Sequence, residues 1–280
     1  MKKIGFVDYY ISEWHANNYV NWIKDVNEKL GTDYVVAYAY AELDVSPVDG
    51  RTTDEWCKQY GVEKCNSIEE ICEKSDNLII LAPSDPQTHL GYAEKVLKYK
   101  KNTYIDKTFA PDFATAKKIF ELGKAGETKF FSSSALRFGA EMEELTGKTG
   151  TVTVFGDGRI FEEYVIHIVE MLVAVQGTGA TKIRLRRSND NIFMDVCYDD
   201  HRKGTLAFCK GLSFKVALFD GEKQYVKDIA TDTFLRLIES MLKFFETGEY
   251  PFDPNQTLEV IKIREKLIEA QDKEDIWLDL

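Results

Sequence analysis

The sequence predicts an α/β protein in two parts: a doubly wound parallel sheet over residues 1–128, then an α+β domain with an open, mainly antiparallel sheet over residues 129–280. Three observations predict it. Leu78–Leu81 is a short apolar run of the kind that forms a strand buried on both faces of a parallel sheet. It opens a strand–helix–strand unit that ends near Lys107, within about thirty residues, the length of a βαβ crossover. After residue 180 the pattern changes to strand upon strand separated by turn signals such as Asn189–Asp190–Asn191 and Asp220–Gly221, which calls for antiparallel pairing.

The elements follow in order. Lys3–Val7 is the first strand. Ser12 is placed to cap a helix running to Leu30, with Val20, Ile23 and Val26 at helical spacing and Gly31 as its stop. Tyr34–Tyr40 is the second strand, and Leu43–Thr53 is a loop with Pro47 and Gly50. Asp54–Tyr60 is a short helix ended by Gly61. Ser67 with Glu70 has the capping-box spacing before a helix over Ile68–Lys74.

In the organising unit, Leu90, Ala93, Val96 and Leu97 mark the crossover helix and Asn102–Ile105 the next strand. A right-handed crossover sets Pro83 and Lys107 at one carboxyl edge of the sheet, where open α/β sheets bind ligands. Pro111–Ala125 is a further amphipathic helix and Lys129–Ser132 a strand. In the second half, Val152–Phe155 is a strand and Tyr164–Val175 a helix. Thr181–Arg187, Phe193–Tyr198, Thr205–Lys210 and Phe214–Phe219 are successive strands. Asp232–Phe245 and Asn255–Gln271 are closing helices.

Composition narrows the function. The formal charge of -11 argues against nucleic acid and anionic membranes as partners. No stretch of about 18 apolar residues is present, and the N-terminus MKKIGFVDYY lacks the apolar run of a signal peptide, so a cytoplasmic protein is expected. The five cysteines form no CxxC, which favours reduced structural thiols over a metal site; Cys65 and Cys72 are spaced to share a helix face.

The order of motifs resembles the Gfo/Idh/MocA family of NAD(P)-dependent sugar and polyol oxidoreductases along nearly the whole chain. The family's Thr-Pro-x-x-x-His-like segment after the fourth strand corresponds to Ala82-Pro83-Ser84-Asp85-Pro86-Gln87-Thr88-His89. Its Glu-Lys-Pro corresponds to Asp106-Lys107-Thr108, its Arg-Phe to Arg137–Phe138, and its acid–histidine pair to Glu163 and His167. The resemblance implies a Rossmann-like first domain, NAD or NADP as cofactor and a carbohydrate-like small-molecule substrate. It assigns His167 as general base, Lys107 as electrostatic and proton partner, and Glu163 as orienter. Residues 163 and 167 are i and i+4, so on a helix they share a face. Each has a plainer reading too: a solvated lysine after a strand, and a surface carboxylate–imidazole pair.

The chain departs from the family at the first βα turn. A dinucleotide fold wants Gly-x-Gly-x-x-Gly there. This chain has Gly5-Phe6-Val7-Asp8-Tyr9-Tyr10-Ile11-Ser12-Glu13-Trp14-His15, with no glycine after Gly5 and two acids where pyrophosphate would sit. The residues placed against a cofactor are Tyr10, Ser12, Tyr40, Pro83 and His89. At the end of the second strand either Glu42 is the acid for a ribose or Tyr40 stacks instead on adenine; His15, in the first βα junction, is a candidate ligand contact, and His89 reads equally as a helix histidine.

Three functions stay open: an NAD(P)-dependent oxidoreductase, a cofactor-free sugar-binding, regulatory or accessory relative, and a lyase or glycosidase using tightly held NAD as an internal shuttle. Alternating apolar residues on Phe193–Tyr198 and Phe214–Phe219 predict a homodimer or homotetramer through the C-terminal sheet.

Overall fold

The computed structural model describes all residues, Met1–Leu280. They form two compact units: residues 1–133 with 237–251, and residues 134–236 with 252–280. This differs from the division expected at 128/129. The strand β6 (Phe130–Phe131) pairs with β5 (Thr103–Ile105) and so belongs to the first sheet. The later segment returns because α7 (Thr233–Thr247) carries aromatics that find partners there: Phe244 meets Phe131 and Phe245 meets Tyr34, at ring separations of 5.1 and 6.2 Å.

The first unit is a six-stranded parallel sheet. In addition to β5 and β6 it contains β1 (Lys2–Asp8), β2 (Tyr34–Ala41), β3 (Glu63–Lys64) and β4 (Asn77–Ile80), in the order β3-β2-β1-β4-β5-β6. The chain winds outward from β1 to one side and then from β4 to the other. The switch point therefore lies between β1 and β4, the place where such sheets leave a crevice at their carboxyl ends. Ile4, Phe6, Val7 and Leu78–Leu81 are fully buried, as a doubly covered sheet requires. The covering helices are α1 (Trp14–Leu30), α2 (Thr53–Tyr60), α3 (Ile68–Lys74), α4 (His89–Val96) and α5 (Phe113–Ala125).

Local chemistry fixes most helix ends. Thr52 and Glu55 form a full capping box for α2. Ser67 caps α3 through the Glu70 N–H, but the Glu70 carboxylate turns to the N–H of Asn66 instead of closing the box. Cys65 precedes α3, so it does not share a helix face with Cys72. Burial pushes the Cys57 and Cys65 thiols up to about 11 and Cys72 to about 12, the state of inert structural thiols. Gly5 is needed for packing: a Cβ there would lie 2.4 Å from Ser75 Oγ and 2.7 Å from Ile71 Cγ1.

The second unit is a seven-stranded sheet in the order β12-β11-β7-β10-β9-β8-β13. Its strands are β7 (Thr151–Gly156), β8 (Ala180–Ser188), β9 (Asn191–Tyr198), β10 (Lys203–Phe208), β11 (Lys215–Phe219), β12 (Gln224–Asp228) and β13 (Leu278–Asp279). It is mainly antiparallel, but β7 and β10 pair in parallel. A helix over Phe161–Gln176 and the β8–β9 hairpin intervene between them, and that length of chain permits a parallel return.

One face of this sheet is covered by α6 (Phe161–Gln176), which in turn packs on α8 (Asn255–Glu269). α6 is apolar nearly all round, with Val165, Ile168, Val169, Leu172 and Val173 buried. The other face has aligned rows: Lys215–Phe155–Ala207–Phe193–Arg186 is one, Ala217–Thr153–Thr205–Asp195–Arg184 the next. No helix of the chain is long and apolar enough to cross a membrane.

Candidate functional site

In the first unit the carboxyl ends of β1, β4 and β5 bring together a cluster of acids. Asp8 ends β1, Asp106 follows β5, and Glu13 sits in the turn between β1 and α1. Asp8 and Asp106 are 1% exposed and Glu13 6%. Asp8 Oδ1 accepts the backbone N–H of Tyr9 at 2.7 Å and of Ala82 at 3.0 Å, while its Oδ2 is buried without a hydrogen-bond partner. Burial and the nearby Glu13 charge push the Asp8 carboxyl well above the usual range. Ala82 holds a left-handed backbone with φ of 59°, and the bond to Asp8 helps to pin it.

Asp106 is approached by the Tyr104 hydroxyl at 3.1 Å and the Tyr19 hydroxyl at 3.5 Å. His15 bridges the cluster: Nδ1 is 3.1 Å from Glu13 Oε2 and Nε2 is 3.8 Å from Asp106 Oδ2. These groups are not arranged as a metal-ligand set.

The cap of α1 is Glu13, not Ser12. The helix starts at Trp14, and the Glu13 carboxylate accepts the N–H of His15 at 2.8 Å and also that of Ala16. Ser12 is buried and faces the β2–α2 loop. Its hydroxyl donates to Asp49 at 2.8 Å, and its carbonyl accepts from the Ser46 hydroxyl at 2.7 Å. The turn is also tied to the end of β2, since Glu42 N–H donates to Asp8 O and Leu43 N–H to Tyr9 O. Tyr10 is half-buried beside Tyr9, with ring centroids 6.1 Å apart.

The other residues assigned to a cofactor are placed as follows. Tyr40 is half-buried at the end of β2, and Glu42 accepts the Tyr92 hydroxyl at 2.9 Å. Pro83 and Lys107 do share the carboxyl edge: Lys107 Nζ donates to the Pro83 carbonyl at 3.4 Å. His89 is the first residue of α4 and fully buried, with Nδ1 3.0 Å from Phe109 O and Nε2 2.6 Å from Leu81 O. Burial pushes its pKa down. Both nitrogens face backbone carbonyls and no ring surface is exposed, so His89 ties the end of β4 to the stretch that precedes α5.

A nicotinamide dinucleotide, which this class of fold implies, does not fit the turn. Its pyrophosphate would need the N–H groups of the turn and of the α1 N-terminus, and those of Tyr9, Ala82, His15 and Ala16 already serve the chain's own carboxylates. A phosphate charge held about 5 Å from one ionised carboxylate would meet a repulsion of about 3 kcal/mol at an effective dielectric near 20.

In the second unit the sequence-assigned pair lies on α6. Glu163 is in its first turn, where an acid suits the helix dipole, and His167 follows one turn later. The partner of His167 that sequence reasoning missed is Ser134, whose Oγ lies 2.7 Å from Nδ1. Ser134 begins a 3-10 turn over Ala135–Phe138, its Oγ also accepting the Leu136 N–H at 3.3 Å. The imidazole lies beside Tyr164 and Phe214, at ring separations of 5.7 and 5.8 Å.

Behind it, buried Glu170 accepts from Arg137 Nε at 2.5 Å. Arg137 further donates to Gln256 at 2.6 Å and stacks 4.0 Å over the Phe252 ring. The signals for these contacts were the serine run 132–134 and the i+3 spacing of Glu170 from His167. Beyond Tyr164, a cavity of about 780 Å3 is lined by Arg159, Phe161, Tyr164, Asp190, Phe208 and Lys210 among others. Gly158 admits the Tyr164 ring, because a Cβ there would lie 2.2 Å from Tyr164 Cγ.

These two units, a parallel six-stranded domain and a mixed, mainly antiparallel one, have the two-domain fold of the Gfo/Idh/MocA oxidoreductases. Among solved structures, a probable dehydrogenase from Thermotoga maritima matches with a TM-score of 0.80 at 12% identity, covering 99% of this chain and 98% of that one. Myo-inositol 2-dehydrogenase from Lactobacillus plantarum matches at 0.77 and 13%, covering 100% and 99%. Levoglucosan dehydrogenase, in complex with NADH and levoglucosan, matches at 0.77 and 10%, covering 99% of each chain. No protein-family model and no curated protein matches the sequence.

Proposed function

We propose that this protein is an oxidoreductase acting on a sugar, polyol or derivative. Oxidation of a secondary alcohol removes a hydride from carbon and a proton from oxygen. His167 is the group proposed to take that proton. The tautomer suited to the task has Nδ1–H donating to Ser134 Oγ and the basic lone pair on Nε2. Glu163 is proposed to orient substrate or imidazole, and Lys107 to stabilise negative charge on a substrate oxygen. The single observation that carries the reading is the Ser134–His167 pair at 2.7 Å in a chain whose whole length has a dehydrogenase fold. NAD or NADP is the hydride carrier this reading would expect, and no step is derived through it because the Asp8–His15 turn does not fit its pyrophosphate.

The same turn favours a second reading, a cofactor-free carbohydrate-binding relative. A panel of sugars and polyols, offered with NAD, NADP and an artificial dye acceptor, separates the two. Turnover with any acceptor that falls at least about 100-fold in His167→Ala supports the oxidoreductase. Saturable carbohydrate binding without turnover on any acceptor supports the second reading and refutes the first.

The outer face of the second sheet carries Phe155 and Phe193 in one row and Phe219, 45% exposed, nearby. Covering of this face by a second copy is proposed as the basis of a dimer.

A further inference from the structure

The first βα turn contains three independent closures. The N-terminal N–H groups of α1 are held by the carboxylate of Glu13, the residue immediately before the helix. The N–H groups at the ends of β1 and β4, from Tyr9 and Ala82, converge on Asp8 Oδ1. The β2–α2 loop lies across the turn through Ser12–Asp49 and Ser46–Ser12, with Ser12 and Ser46 both buried. Behind these sit Asp8 Oδ2 and Asp106 Oδ2, two buried carboxyl oxygens with no hydrogen-bond donor.

We infer that the switch-point crevice of this protein is self-occupied: the side chains of Glu13 and Asp8 take four backbone N–H groups, those of Tyr9, Ala82, His15 and Ala16, where the fold offers donors to a dinucleotide pyrophosphate, so the protein does not bind NAD(H) or NADP(H) through this turn. A carboxylate is an anion of similar hydrogen-bonding habit to phosphate, and here it is covalently attached. An external phosphate would have to displace Glu13 from two N–H groups, lift the loop from Ser12 and enter beside buried acids. A dinucleotide fold ordinarily keeps the crevice open with glycines, whose missing side chains let backbone meet pyrophosphate. Here the corresponding stretch is filled by Asp8, Tyr9, Tyr10, Ile11, Ser12 and Glu13. The inference does not rest on the carbohydrate reading.

The test uses the full chain and three probes: NADH, NADPH and ADP-ribose. Binding is followed by calorimetry and, for the reduced dinucleotides, by energy transfer from the tryptophans. Glu13→Ser removes the carboxylate while leaving a good helix cap. Asp8→Asn replaces the carboxyl with an amide that cannot ionise while keeping an oxygen for the Tyr9 and Ala82 N–H groups, and it serves as the milder variant if the first unfolds. Wild type is expected to show no binding tighter than about 1 mM, with a gain of at least tenfold in Glu13→Ser, Asp8→Asn or their combination. Micromolar binding by wild type overturns the inference. So does a folded variant set that binds no better than wild type, because the carboxylates would then not be what closes the turn. Carbohydrate binding that depends on His167 is read separately, so failure of one conclusion leaves the other standing or falling on its own data.

Discussion

Replacing Arg137 with methionine removes a charge from a place where its partner cannot reach water. The guanidinium and the Glu170 carboxylate are each 4% exposed and meet at 2.5 Å. Two unit charges about 4 Å apart attract by about 4 kcal/mol at an effective dielectric near 20, and that attraction offsets the cost of drying both. With the arginine gone, Glu170 keeps its desolvation cost and loses this ion pair and its hydrogen bond. Methionine fills much of the space over Phe252 but cannot donate to Gln256. The expected loss of stability is about 3–5 kcal/mol, read as a lower midpoint in urea unfolding followed by circular dichroism. The paired change Arg137→Met with Glu170→Leu removes both charges and is expected to recover most of the loss. A loss below about 1 kcal/mol in Arg137→Met would refute the reasoning, because it would mean that Glu170 reaches solvent or another cation without rearrangement.

Three further changes test other parts of the structure. Gly5→Ala forces a methyl against Ser75 and Ile71 of the α3 region and is expected to cost about 1–3 kcal/mol in unfolding experiments; an unchanged midpoint would contradict the close packing. Asp8 holds its proton to higher pH when folded than the ordinary 3.8. The unfolded chain therefore binds fewer protons above that value, and stability falls as pH rises through the folded pKa. Asp8→Asn cannot ionise, so its melting temperature relative to wild type is expected to climb between pH 4 and pH 8, and a constant difference would rule out an ionising, destabilising Asp8. Phe193→Asp places a charge in the row between Ala207 and Arg186 and is expected to leave a monomer in sedimentation; a wild type that is itself monomeric at high micromolar concentration would sink the proposed sheet-to-sheet dimer.

What was legible in the sequence was what local pattern controls. The apolar run Leu78–Leu81 and the helical spacing after it located the β4–α4–β5 crossover, because a strand covered on both faces has to be apolar at every position. The three-letter neighbourhood of Asp106–Lys107 then fell at the carboxyl edge by topology alone. In the second unit, alternation marked β8 and β9 clearly. Strand β12, with the sequence Gln-Tyr-Val-Lys-Asp, was not legible: only Tyr225 is buried and the other four positions face outward or lie at the sheet edge. The parallel β7–β10 pair was also hidden, since nothing in a strand's own residues records the direction of its neighbour. Ser12 read as a cap by residue type, yet the loop over 43–52 claimed its hydroxyl and left the capping to Glu13, a competition between tertiary and local hydrogen bonds that a window of sequence does not contain.

The two halves of the candidate chemistry thus rest on different kinds of information. Glu163 and His167 could be paired from spacing, but the group that meets the imidazole, Ser134, lies 33 positions earlier and arrives through a 3-10 turn. The converse holds in the first unit. There the sequence displayed its acids openly, and only the structure gave them a physical role, as carboxylates bonded to the N–H groups that a phosphate would use. Loss of the glycines alone would have left a crowded turn that a dinucleotide could still approach from one side. A crowded turn in which Asp8 and Glu13 already hold four of the N–H groups is a different object, because an incoming phosphate would have to displace those side chains before it gained their hydrogen bonds. That distinction is why replacement of Glu13, instead of insertion of glycine, is the informative substitution: it exchanges an anionic cap for a neutral one that a phosphate can displace, without altering the backbone that presents the donors.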